Sequence, residues 1–89
     1  MAINKVGVIG GGLMGSGIAQ TAAQAGYDVA LAEVNQELLE RGMKRIHGAW
    51  EMLQGKGKIT ADQVTEYRGR IHGTLDLREF GDSDLVIEA

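Results

Sequence analysis

KVGVIGGGLMGSGIAQTAAQAGYDVALAEVN, residues 5–35, decides how this chain folds. Six of its 14 glycines fall between Lys5 and Gln20. Lys5 to Ile9 is apolar and β-branched, the pattern of a short buried strand. Leu13 to Ala25 is rich in Ala, Gln, Leu and Met, which favours a helix, and Gly26 supplies a stop. Asp28 to Ala32 reads as a second strand with Val29 and Leu31 on one face. Strand, glycine turn, helix and strand within about 30 residues make one βαβ unit, whose two strands run parallel.

The turn itself, Gly10-Gly11-Gly12-Leu13-Met14-Gly15, fits the pattern G-x-G-x-x-G. Alone, that pattern is weak, and a glycine turn serving only strand-to-helix packing would show the same residues. Three features of its context favour a ligand. The turn follows a strand, it opens a helix, and Glu33 stands 18 positions beyond Gly15 at the end of the second strand. Each glycine then has its own task. Gly10 permits the sharp turn off the strand, Gly12 lets a pyrophosphate approach the backbone, and Gly15 lets the helix pack closely. The amide groups at Leu13 and Met14, together with the helix dipole, face the phosphates. Glu33 can accept hydrogen bonds from the adenosine ribose and would repel the extra phosphate of NADP, and no Arg or Lys follows it closely. NAD is the expected cofactor.

Outward from this unit, Asn35 is a plausible N-cap for a long helix reaching about Gln54. Leu39, Met43, Ile46, Trp50 and Leu53 form its apolar stripe. Gly55 and Gly57 end it, and Thr60 with Gln63 makes a capping box for a second helix to about Arg68. Ile71–Thr74 can form a third strand. Asp76 with Glu79 could cap one helical turn, and Leu85–Ala89 reads as a fourth strand.

Composition narrows the function classes. With a net charge of −3 and no long basic run, nothing points to nucleic acid or to an anionic membrane surface. The absence of cysteine excludes disulfides and thiolate metal sites, and the two histidines, His47 and His72, lack ligand-like spacing. Neither a metal site nor a membrane span is expected, and the default location is cytoplasmic. His47 is expected to be solvated on the long helix, His72 to be structural, and Trp50 to be packing.

Taken together, the long first stretch with "MGSGIAQ", the long second helix, "GKGKIT", "RIHGTLDL" and "DSDLVIEA" resemble the N-terminal NAD-binding domain of the 3-hydroxyacyl-CoA dehydrogenases, including the bacterial 3-hydroxybutyryl-CoA type. The resemblance runs from Lys5 to Ala89. It implies an α/β, Rossmann-like parallel sheet of strand order 3-2-1-4, with a long helical hairpin, Asn35 to Arg68, inserted after strand two. It assigns Gly10, Gly12, Leu13, Met14 and Gly15 to the pyrophosphate loop and Glu33 to the ribose. Residues 1–89 then form the NAD-binding part of a longer enzyme that oxidises the 3-hydroxyl of an acyl-CoA in fatty acid metabolism. That family's catalytic His–Glu pair and its dimerisation portion lie downstream of "VIEA". On this reading the chain holds no catalytic residue and is inactive alone. The parent protein takes acyl-CoA and pairs through the missing C-terminal domain. The hairpin stretch "GAWEMLQGKGK" departs from the polar-basic pattern through which that family meets the CoA nucleotide, leaving Lys56 and Lys58 as phosphate contacts.

Two other readings of the residues stay open. A strand-edged piece of this size could be a stand-alone dinucleotide-binding or sheet-completing interaction module. The glycine loop is also shared by other NAD(P) enzymes, such as the 3-hydroxyisobutyrate and 6-phosphogluconate dehydrogenases.

Overall fold

The computed structural model describes residues 3–10 and 12–89. Gly11, the second residue of the glycine pattern, lies outside the described residues. The elements run β1 (Lys5–Ile9), α1 (Leu13–Gln24), β2 (Asp28–Ala32), α2 (Gln36–Gly55), α3 (Ala61–Arg70), β3 (Ile71–Thr74), a single 3-10 turn (Leu77–Phe80) and β4 (Leu85–Glu88). The strands form one sheet of order β3-β2-β1-β4, as the sequence implies. All three pairings are parallel, with Ile9 opposite Ala32, Ala32 opposite Thr74, and Ile9 opposite Glu88.

Alternation along the strands sends successive side chains to opposite faces, and the two faces are covered differently. Val6, Val8, Val29, Leu31 and Ile71 point into the larger core, against Ala19 and Ala23 of α1, Ile46 and Trp50 of α2, and Val64 and Tyr67 of α3. On the other face Ala30 and Ala32 meet Phe80 of the 3-10 turn. Gly7 belongs to that face. A β-carbon there would lie 2.8 Å from the Phe80 ring, so the small residue admits the aromatic one.

Helix ends follow local chemistry. Asn35 accepts from the Leu38 amide at 2.9 Å, and Thr60 and Gln63 form the reciprocal capping box. The Asp76 side chain caps the 3-10 turn through the Arg78 amide at 2.9 Å. Glu79, expected to share in that cap, instead accepts from the Thr74 hydroxyl. The chain's distant parts are tied by a few polar contacts. Arg70 donates at 2.9 Å to the Ala23 carbonyl, closing the end of α1 from 47 residues away. The Asp84 carboxylate accepts from the amides of Asn4 and Lys5 at 2.8 and 3.0 Å, and these bonds hold its acid below the usual carboxylate range.

Trp50 is fully buried at the junction of α1, α2 and α3. Its indole N–H donates to Gln24 Oε1 at 3.1 Å, and its ring lies 5.6 Å from that of Tyr67. His47, one turn earlier, corrects the sequence expectation. It is half-buried, not solvated, with its ring 6.0 Å from Trp50 and tilted 30° to it.

Burial, and then the nearby Arg68, push its pKa below the ordinary value, against a smaller opposing pull from Glu51. The unfolded chain therefore binds the His47 proton more readily than the folded one. Its contribution to stability is fully present above the ordinary histidine pKa and falls as the pH drops through it. Urea midpoints should decline between about pH 7.5 and about pH 5.5, and His47→Gln should flatten that part of the decline. Parallel curves for the two proteins would show that His47 plays no part.

Candidate cofactor-binding site

The carboxyl ends of the strands converge where β1 has β2 on one side and β4 on the other. This is the point at which strand order reverses, the place where open α/β sheets bind their ligands. Gly10 leaves β1 there with φ at +105°, a left-handed conformation that a residue without a β-carbon adopts cheaply. Its amide donates to the Ala32 carbonyl at 2.9 Å, and the Ala89 amide donates to the Ile9 carbonyl at 3.0 Å, so the start of the loop is held from both sides.

The other two glycines of the pattern differ sharply in surroundings. A β-carbon at Gly15 would lie 1.6 Å from the Gly10 carbonyl oxygen and 2.7 Å from its carbon. The close packing therefore joins the first turn of α1 to the end of β1. A β-carbon at Gly12 would meet nothing within 4 Å. Packing demands glycine at the first position and is indifferent to it at the second.

Gly12 is the N-cap of α1, with extended backbone, and no side chain caps the helix. The helix has no acidic residue in its first turn, and its first internal bond runs from the Ser16 amide to the Gly12 carbonyl at 2.8 Å. Helix starts leave their first amides without partners inside the helix, and most are answered by a side chain at the cap. Here the partial positive charge of the helix end faces outward. Leu13 and Met14 follow, 82% and 70% exposed.

Glu33 follows the last residue of β2, beside Gly10 across the β1–β2 pair. It is half-buried, its amide donates to the Thr74 carbonyl at 3.2 Å, and its Oε1 accepts from the Val34 amide at 3.3 Å. The structure thus gathers Gly10, Gly12, Leu13, Met14, Gly15 and Glu33 at one end of the sheet. His47 and His72 stand apart from that end, in mid-α2 and on the exposed part of β3. No group of three His, Cys, Asp or Glu among the described residues could hold a metal ion. No helix among them is long and apolar enough to cross a membrane.

Sequence reasoning did not anticipate Thr74 and Phe80. Both act through contacts with residues that only the sheet brings near.

Proteins of known sequence and structure resemble this chain over nearly all of its length. A probable 3-hydroxybutyryl-CoA dehydrogenase of Deinococcus radiodurans is 52% identical over 85 residues, which is 96% of this chain and 30% of the relative. The peroxisomal fatty acid beta-oxidation multifunctional protein AIM1 of Arabidopsis thaliana is 45% identical over 98% of this chain and 12% of its own length. The crystal structure of FadB2 from M. tuberculosis superposes with a TM-score of 0.97 at 40% identity, covering 100% of this chain and 31% of that one. This chain spans under a third of these relatives. Residues 5–89 match the family described as 3-hydroxyacyl-CoA dehydrogenase, NAD binding domain. Glycine loop, sheet switch point, strand-end acid and this match agree, and the chain belongs to the NAD-binding domain family of the 3-hydroxyacyl-CoA dehydrogenases.

Proposed function

We propose that this chain is the cofactor-holding part of an enzyme that oxidises the 3-hydroxyl of an acyl-CoA thioester with NAD. The carrying observation is the contrast between Gly15, which packing requires, and Gly12, which it does not. The space left at Gly12, in front of an uncapped helix start, suits a diphosphate in contact with bare amides. Gly10 and Gly15 would set the path of the loop, the amides of Leu13 and Met14 would meet the pyrophosphate, and Glu33 would hold the ribose hydroxyls. NAD bound there supplies the hydride acceptor. The substrate class rests on the names of the Deinococcus and Arabidopsis relatives, and no residue here is assigned to the acyl-CoA.

Calorimetric titration of the full chain tests the reading with NAD, NADP and ADP. A carboxylate at ~4 Å from the ribose 2′-phosphate of NADP repels it by up to ~4 kcal/mol at an intermediate dielectric, and partial exposure of Glu33 reduces this. NAD should therefore bind roughly 10–100-fold more tightly than NADP, a gap of roughly 1.4–2.8 kcal/mol. Equal affinities would remove Glu33 from the site, and no binding of any of the three would remove the loop.

A further inference from the structure

The geometry points to Thr74 as a positioning residue that sets the direction of Glu33 and thereby the preference between NAD and NADP. This inference rests on the assignment of Glu33 to the ribose.

Thr74 ends β3 opposite Ala32, and its carbonyl accepts the Glu33 amide at 3.2 Å. That bond is the last rung between β2 and β3, and it falls on the residue whose side chain would read the ribose. A rung at a strand end frays unless its partner is fixed. Thr74 is fixed on its other side. Only 5% exposed, its hydroxyl accepts the Asp76 amide at 3.0 Å and donates to the Glu79 carboxylate. Asp76 in turn caps the 3-10 turn and holds Arg78 through both carboxylate oxygens. The turn ends in Phe80, seated against Ala30 and Ala32 of β2 itself. The Thr74 hydroxyl therefore joins the end of β3 to a segment anchored on β2. With it, the Thr74 carbonyl and the Glu33 backbone share one frame.

Thr74→Val keeps the β-branched shape and the volume but leaves the Asp76 amide without its acceptor. Thr74→Ser keeps the hydroxyl. Dissociation constants for NAD and NADP are measured on the full chain for both variants and for Glu33→Gln. Thr74→Val should narrow the NAD/NADP ratio about tenfold, Thr74→Ser should restore it, and Glu33→Gln should narrow it at least as far. A purely structural role for Thr74 would weaken both nucleotides in proportion and leave the ratio unchanged, and that result overturns the inference. An unchanged ratio in Thr74→Val beside a narrowed one in Glu33→Gln overturns it too, leaving the assignment of Glu33 intact. An unchanged ratio in Glu33→Gln removes the assignment and the inference together. Should Thr74→Val fail to fold, Glu79→Ala, which removes the acceptor of the Thr74 hydroxyl from the exposed side of the same bond, takes its place, with a narrowed ratio expected and an unchanged one decisive against.

Discussion

Gly15→Ala should both destabilise the chain and abolish NAD binding, the largest effect expected of any single methyl group here. The added carbon would sit 1.6 Å from the Gly10 carbonyl oxygen, where even a tight contact needs more than 3.0 Å. Neither partner can yield cheaply, because the new carbon is fixed to the helix backbone and the atoms it meets are the backbone carbonyl of Gly10. Gly10 is pinned through its amide to Ala32, and α1 is packed through Ala19 and Ala23 against the sheet. Relief requires α1 to slide away from the end of β1, which opens the core beneath it. Overpacking with room to adjust costs about 1–3 kcal/mol, so a backbone clash should reach or exceed the upper figure. The same slide withdraws the helix start from the phosphate position. Gly12→Ala is the matched control, since its backbone φ of −69° suits any residue and nothing lies within 4 Å of the new carbon. It should lose no more than about 1 kcal/mol, the cost of alanine at an N-cap, and yet lose at least about tenfold in NAD affinity. Thermal melting by circular dichroism, paired with NAD titration, reads both effects. A Gly15→Ala protein that melts and binds like the parent would mean that β1 and α1 do not meet as described.

Trp50→Ala should remove about 3–5 kcal/mol of stability, the usual range for truncating a buried tryptophan. Trp50 is fully buried between three helices, so its loss leaves a cavity that no single neighbour can fill. The indole also holds Gln24, which in turn accepts from Gln20, both on α1. Because small domains have about 5–15 kcal/mol in total, the variant should retain little reserve at moderate temperature. Trp50→Phe keeps an aromatic ring and loses the bond to Gln24, and it should lose far less. Urea unfolding followed by far-ultraviolet circular dichroism is the suitable readout, because the substitution removes the chain's one tryptophan. A midpoint unchanged in Trp50→Ala would contradict the packing of α2 on α1.

The parts of the fold legible in the sequence are those specified by near neighbours. The β1–α1–β2 unit announces itself by alternation and glycine spacing, and the Thr60–Gln63 box marks the start of α3 without reference to anything distant. Strand order 3-2-1-4 followed from the family resemblance and is the order observed. His47 misled because a stripe of period 3.5 puts Ile46 and Trp50 at its centre and leaves His47 at its margin. Tyr67 and Arg68 of α3, which the stripe does not contain, are among the groups that enclose this corner. Glu79 misled for a similar reason. Its spacing from Asp76 suits a capping box, but a buried threonine on the neighbouring strand offers it a better donor. The seat of Phe80 against Gly7 and the bond from Arg70 to Ala23 join residues 73 and 47 positions apart. Local patterning has no means of registering such contacts.

β1 sits in the middle of the sheet, yet one of its two neighbours is the last strand described here. On a translating ribosome, at about 5–20 residues per second, Ile9 would emerge roughly 4–16 seconds before Glu88 can pair with it. Throughout that interval the central strand has at least one open flank, and the carboxylate of Asp84 has yet to fasten the amides of Asn4 and Lys5. Nascent chains of this design therefore carry an unpaired central β edge until β4 arrives, the interval in which they are most open to mispairing.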